Sequence, residues 1–161
     1  MPKRPARIYS WNINGIRAAT KKGFADWLNT TQAEIVGVQE VRAQDDQIPA
    51  EVTALDQYHQ SFSAAERKGY SGVGLFSRRE PEWVETSLGE DRFDCEGRLQ
   101  VARFGRLLVA NGYFPNGNGK NRDNSRIPYK LDWYRALFDK LAPLRRGGYR
   151  ILVMGLSLIH I

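Results

Sequence analysis

Three short apolar runs in the chain end on residues that can bind a metal ion or a phosphate. Asn12 and Asn14 close the first run, Glu40 closes the second, and Asn111 with Tyr113 closes the third. One carboxylate backed by amide oxygens suits Mg²⁺, a hard cation that takes oxygen ligands, keeps several waters and shares its shell with phosphate. Taken singly, Glu40 could cap a helix, Asn12 could form a turn, and Tyr113 could be an ordinary strand aromatic. Their joint occurrence favours a metal–phosphate site.

The elements that must position these residues alternate between strands and helices. Periodicity predicts strands over residues 7–12 and 35–39 on either side of a helix near 23–29, which is a β-α-β arrangement. Carboxyl ends of strands are where α/β folds build their sites, so these polar residues are expected to meet there. The other predicted elements are a helical connection over 45–55, strands over 58–64, 72–77, 83–86, 99–104, 106–113 and 149–154, and a helix over 128–141 that stops before Pro143. Together they predict one α/β unit with a mixed sheet and flanking helices.

The distribution of charge indicates a partner. The formal net charge is +6, and residues 120–150 hold nine Lys or Arg against three Asp. Residues 1–22 are basic without any acid, whereas residues 80–96 carry seven acids against one Arg. Such segregation is typical of a surface that faces a polyanion such as nucleic acid, although many basic proteins are simply well solvated.

Composition also excludes several classes of protein. The single Cys95 cannot form an internal disulfide, and two His residues provide no framework for a zinc site of the Cys/His type. No apolar run approaches the roughly 20 residues of a membrane span. We therefore expect a cytoplasmic protein without a membrane partner.

Six strings in the sequence carry a specific resemblance. They are SWNINGIRA at 10–18, GVQE at 37–40, YSGVG at 70–74, EGR at 96–98, NGYFPNG at 111–117 and YKLDWY at 129–134. In order and spacing they resemble the exodeoxyribonuclease III and abasic-site endonuclease branch of the endonuclease/exonuclease/phosphatase superfamily. The resemblance covers residues 8–155. It implies the N-terminal portion of a four-layer, DNase I-like α/β sandwich.

The resemblance also implies an activity and a cofactor. Members of that branch hydrolyse DNA phosphodiesters at abasic sites and from 3′ ends of duplex DNA. The implied partner is therefore double-stranded DNA with abasic or 3′-blocked ends. By resemblance, Glu40 binds Mg²⁺, with Mn²⁺ as a substitute, Asn12 supports the metal or the catalytic carboxylate, and Tyr113 contacts the scissile phosphate. In-line attack on a phosphodiester needs a metal, an activated water and donors that fix the phosphate, which agrees with those roles.

Further residues are assigned to DNA binding. Asn14, Arg17, Arg126 and Lys130 are expected to hold the DNA backbone, where contacts provide affinity without sequence preference. For Arg17, Arg126 and Lys130 the alternative of a solvated charge stays open. Arg98 matches a family position at which buttressing of a loop and contact with substrate are both open.

The sequence departs from the family pattern after Gly155. The pattern continues Gly-Asp-Phe-Asn or Gly-Asp-Met-Asn, in which the Asp activates water or protonates the leaving group and the Asn binds phosphate. Here Leu156 and Leu158 stand in those places and can do neither. The segment 156–161 resembles the translation of a transposon-end adapter, so we expect a partial domain over 1–155 followed by a non-native tail, and His160 is a poor catalytic candidate.

Three readings of function follow. The intact parent would be a monomeric Mg²⁺-dependent DNA-repair nuclease that continues beyond this chain, whose own activity is expected to be lost. The second reading is a DNA-binding remnant that holds backbone phosphates without hydrolysis. The third keeps the superfamily but changes the substrate to a phosphoinositide or another phosphoester.

Overall fold

The computed structural model describes residues 6–119 and 123–157, which form two four-stranded sheets with helices on their outer faces. The first sheet and its helices comprise β1 (Ile8–Asn12), α1 (Ile16–Lys21), α2 (Phe24–Thr30), β2 (Ile35–Gln39), α3 (Ala50–Thr53), β3 (His59–Ser63) and β4 (Val73–Ser77), with a 3₁₀ turn at Asp45–Gln47. The second comprises β5 (Trp83–Glu85), α4 (Asp91–Asp94), β6 (Leu99–Phe104), β7 (Leu107–Tyr113), α5 (Ile127–Arg146) and β8 (Arg150–Leu156). Each sheet is therefore built from one continuous half of the chain.

Both sheets are mixed, and each contains one parallel pair at an edge. The first has the strand order β1-β2-β4-β3 and the second β5-β6-β7-β8. β1 runs parallel to β2 and β7 parallel to β8, while the other neighbours are antiparallel. The helices α1 and α2 form the first parallel crossover and α5 forms the second, as parallel connections require. The predicted β-α-β start is confirmed.

Successive side chains along the strands point to opposite faces, and the buried ones form three clusters. In the first sheet Val36 and Val38 face the helices, whereas Ile35 faces the second sheet. On α5, Trp133, Leu137 and Leu141 recur every four residues and pack on the outer face of the second sheet. The order of layers is therefore helix, sheet, sheet, helix. The predicted α/β sandwich is confirmed.

The structure corrects several predicted boundaries. The last helix does not stop before Pro143 but continues to Arg146, with Pro143 inside it. Proline removes one N–H from the helix ladder, yet the helix continues because the Pro143 carbonyl accepts the Gly147 N–H at 2.8 Å and Leu144 packs against the core. The short helices α1 and α4 were not predicted.

No helix within residues 6–119 or 123–157 is both long enough and apolar enough to cross a bilayer.

Candidate functional site

The first part of the site is a pair of side chains at the carboxyl ends of β1 and β2. The parallel register places Asn12 beside Gln39, so that Glu40 emerges one residue further along. The Asn12 amide donates a hydrogen bond to Glu40 Oε1 at 2.6 Å, and Asn12 Oδ1 accepts the Asn14 backbone N–H at 3.0 Å. Asn12 therefore contacts the Glu40 carboxylate directly, and its role toward a metal ion stays a prediction.

Glu40 lies in a tight reversal of the chain after β2. Its φ is +57°, in the left-handed region that side chains adopt at a cost of about 1–3 kcal/mol. The reversal is held because the Gly15 N–H donates to the Glu40 carbonyl at 2.7 Å. Glu40 is almost fully buried, and its second carboxylate oxygen forms an ion pair with the half-exposed Arg42 guanidinium. The surrounding backbone thus fixes the carboxylate in place.

Tyr113 belongs to the second sheet and lies beside the Glu40 carboxylate. It is the last residue of β7, and its hydroxyl lies close enough to Glu40 for the carboxylate to shift its pKa. Burial, followed by the negative charge and hydrogen bond of Glu40, raises the pKa of Tyr113 to about 12. The phenol therefore stays protonated near neutral pH and remains a hydrogen-bond donor that adds no charge. Three strand ends from two sheets meet as the sequence predicted.

Asn111 does not belong to the open site, although the sequence placed it there. Its side chain is completely buried between the sheets. It donates to the Val38 and Gly74 carbonyls at 3.2 and 3.0 Å, and accepts from Gln39 Nε2 at 2.8 Å. Asn111 therefore ties the second sheet to β2 and β4 of the first, directly behind Glu40 and Tyr113.

A charged cluster lies next to Tyr113 and surrounds Glu96. Arg98 donates to Glu96 at 2.5 Å, to the Tyr113 carbonyl at 3.1 Å and to the Tyr70 hydroxyl at 2.7 Å. Burial alone would raise the pKa of Glu96, but the charge and hydrogen bond of Arg98 and its neighbours hold that pKa below its ordinary value. Glu96 is thus ionised and binds the cations around it. The Arg98 side chain is only 4% exposed and lies inside this cluster, while its role as a loop buttress or a substrate contact stays a prediction.

Comparison with known proteins defines the family. A sequence model of the endonuclease/exonuclease/phosphatase family matches residues 9–155, most of the chain. The chain belongs to this family. The sequence is 34% identical over 155 residues to an exodeoxyribonuclease of Bacillus subtilis, covering 96% of this chain and 59% of the relative. It is 31% identical over 153 residues to exodeoxyribonuclease III of Haemophilus influenzae, covering 92% and 56%.

A solved structure supports the same assignment. An AP endonuclease from Archaeoglobus fulgidus superimposes with a TM-score of 0.76 at 27% identity, covering 94% of this chain and 56% of the other. The chain described here therefore spans a little over half the length of these relatives. The predicted resemblance and the DNase I-like fold are both confirmed.

The family assignment leaves the proposed DNA-binding residues as predictions, and the structure shows where they lie. Asn14 and Arg17 are exposed in the turn after β1 and the first turn of α1. Arg126 precedes α5, where it donates to Glu96 at 3.1 Å and lies 4.6 Å from the centre of the Tyr129 ring. Lys130 follows in the first turn of α5. These residues therefore lie in two groups, one after β1 and one at the start of α5.

Sequence reasoning missed three residues that contact Glu40 or Arg98 in the structure. Tyr70 and Glu96 lie within the strings that carried the resemblance but received no role, and Arg42 had no signal beyond its charge. Within the part of the chain that the structure describes, no three carboxylate, His or Cys side chains come together as a metal-binding group. Glu40 therefore stands as one carboxylate with amide support.

Proposed function

We propose that this chain supplies the metal- and phosphate-binding part of a Mg²⁺-dependent DNA-repair nuclease that acts on duplex DNA at abasic sites and 3′ ends. The observation that carries the proposal is the meeting of Asn12, Glu40 and Tyr113 from three strand ends. The relatives named as exodeoxyribonucleases support the substrate class. Because the chain spans 59% of the first relative, the proposal for the whole nuclease extends beyond these residues. Its place of action would be the cytoplasm, where bacterial chromosomal DNA lies.

The Glu40 side chain fits a divalent cation. Asn12 holds Oε1, which leaves Oε2 facing the Arg42 guanidinium. Because the Arg42 side chain is 45% exposed, it can move into solvent while a cation takes over the same charge. Mg²⁺ or Mn²⁺ bound there would neutralise negative charge on a phosphate, and it would keep waters because few protein ligands are present.

Tyr113 would then bind the phosphate itself. Its hydroxyl faces Glu40, and with a pKa of about 12 it can donate to a phosphate oxygen without ionising. A hydrogen bond to a charged acceptor contributes about 1.5–3 kcal/mol in proteins. The cations near α1 and the start of α5 would add backbone contacts that depend on salt and not on sequence.

The acid–base half of the chemistry is missing from the described residues. Leu156 pairs with Tyr113 in the parallel register of β7 and β8, so the position that the family pattern gives to an Asp lies beside the site. A leucine side chain cannot accept or donate a proton. We therefore propose that this chain binds DNA and metal but does not cleave, which combines the nuclease assignment with the second candidate, a non-catalytic DNA-binding form.

Binding of a labelled duplex with a tetrahydrofuran abasic analogue tests the proposal. Fluorescence anisotropy is measured in MgCl₂ and in EDTA for the parent, for Glu40→Gln and for the exposed control Glu51→Gln. We expect Mg²⁺ to strengthen binding in the parent and in Glu51→Gln but not in Glu40→Gln. An equal gain in Glu40→Gln would refute the metal site.

A cleavage assay on a duplex with a natural abasic site tests the second part. We expect no product with Mg²⁺ present. EDTA-sensitive cleavage that Glu40→Ala abolishes would show that the chain is a complete catalyst and would overturn the proposed loss of activity.

A further inference from the structure

We infer that Arg98 is a positioning residue that sets the Tyr113 phenol at the phosphate site, and that Glu96 and Tyr70 hold Arg98 for this task. The inference rests on the proposed role of Tyr113 and extends it to groups that make no contact with DNA. It also replaces the substrate contact that the sequence left open for Arg98.

The backbone and ring of Tyr113 are held by the same residue. The Tyr113 N–H donates to the Arg98 carbonyl at 2.8 Å, and the Arg98 guanidinium donates back to the Tyr113 carbonyl at 3.1 Å. The guanidinium carbon also lies 4.7 Å from the centre of the Tyr113 ring, within the range of a cation–π contact. Arg98 therefore restrains both the end of β7 and the direction of the phenol.

Arg98 is fixed in turn by two partners that lie away from Glu40. Its Nε donates to Glu96 at 2.5 Å and its second terminal nitrogen donates to the Tyr70 hydroxyl at 2.7 Å. A buried cation would be costly without such partners, and the planar fork of arginine reaches three acceptors at once in a way that lysine cannot. The guanidinium thus donates hydrogen bonds to Glu96, to the Tyr113 carbonyl and to the Tyr70 hydroxyl.

Gly97 allows this cluster to form. Its φ is +56°, and a Cβ atom there would lie 2.5 Å from the Ala64 carbonyl carbon. Only glycine permits so close an approach, which brings the Glu96–Arg98 turn against the segment that leads to Tyr70. The geometry of the cluster is therefore built into the backbone, and Arg98 has no freedom to reach a ligand outside it.

A double-mutant cycle on DNA binding separates positioning from other roles. The Kd of the tetrahydrofuran duplex in MgCl₂ is measured for Tyr113→Phe, Arg98→Met and the double variant. We expect each single variant to weaken binding roughly tenfold, as loss of one hydrogen bond to a charged group would. If Arg98 acts through Tyr113, the double variant binds no more weakly than Tyr113→Phe. A roughly hundredfold additive loss would overturn the inference, because it would mean that Arg98 acts independently.

Two further variants sharpen the cycle. Arg98→Lys keeps the charge but not the fork, so we expect it to stay close to Arg98→Met, and full rescue would refute positioning by geometry. Arg79→Met removes an exposed cation after β4, at the end of the sheet opposite Glu40, and should leave Kd unchanged. A tenfold loss in this control would show that net charge alone sets the affinity.

If Arg98→Met fails to fold by circular dichroism, Tyr70→Phe takes its place in the cycle. This variant removes one acceptor of Arg98 and should weaken binding about threefold, again without adding to Tyr113→Phe. Additive losses here would overturn the inference. If Tyr113→Phe itself binds like the parent, the proposed phosphate contact of Tyr113 is wrong and the inference falls with it. If Tyr113→Phe binds more weakly but the losses of the single variants add up in the double variant, the inference falls and the proposed function stands.

Discussion

Asn111→Ala is expected to destabilise the protein by about 3 kcal/mol. The substitution removes three buried hydrogen bonds that link the sheets, to the Val38 and Gly74 carbonyls and from Gln39. Each contributes about 1 kcal/mol net. Against a total stability of about 5–15 kcal/mol for a domain, this loss is a substantial fraction. It corresponds to a fall in Tm of roughly 6–12 °C, at about 2–4 °C for each kcal/mol in a chain of this size.

Urea unfolding followed by tryptophan fluorescence measures this loss. The chain is compared with Asn111→Ala at low micromolar concentration, and the slope m is checked for constancy so that the change in midpoint reports stability. Gln57→Ala provides a matched control, because it also removes a side-chain hydrogen bond, to Asn29 at 2.7 Å, but on the exposed surface. The control should change stability by less than about 0.5 kcal/mol. A loss below about 1 kcal/mol for Asn111→Ala at constant m would refute Asn111 as the tie between the sheets.

Two other perturbations test the charged cluster and the exposed apolar surface. Because the folded state holds the pKa of Glu96 below its ordinary value, its contribution to stability is present above that value, roughly 4.3, and is lost as the pH falls through the lowered pKa. Melting temperatures from pH 7 to 3 should therefore fall less in Glu96→Gln than in the parent, and parallel curves would contradict this reasoning. Phe138 is 68% exposed beside a cavity of about 760 Å³ that α5 forms with β8, so Phe138→Gln should reduce concentration-dependent association in light scattering. If Phe138→Gln associates like the parent, Phe138 is not the cause of association. The conservative Phe138→Leu is the control and should associate like the parent.

The half of the site within one sheet could be predicted from sequence. Asn12 and Glu40 end two strands of a β-α-β unit, and parallel strands bring their carboxyl ends to one edge. Tyr113 lies 73 residues after Glu40 on the other sheet, so its arrival depends on how the sheets pack. Periodicity within one strand contains no information on that packing, so placing Tyr113 at the site rested on the rule that strand ends build sites and on the resemblance.

Asn111 shows where the sequence argument fails. A polar residue near the end of an apolar strand has the same pattern whether it faces solvent or the partner sheet. Pro143 shows a similar limit, because local propensity predicts a helix end but packing of Leu144 and a hydrogen bond to Gly147 extend the helix. The φ of +57° at Glu40 likewise has no sequence signal, since glutamate is not a residue that favours it.

The division of the two sheets between consecutive halves of the chain has a consequence for the order of folding during synthesis. All strands of the first sheet lie within residues 8–77, so it can pair completely while the second sheet is still being made. Asn12 and Glu40 would then meet on the ribosome before Tyr113 has been translated. Asn111, on the second sheet, would gain its hydrogen bonds to Val38, Gly74 and Gln39 only when the two sheets dock. The Asn12–Glu40 part of the candidate site would therefore form early, and Tyr113 would join it only when the sandwich closes.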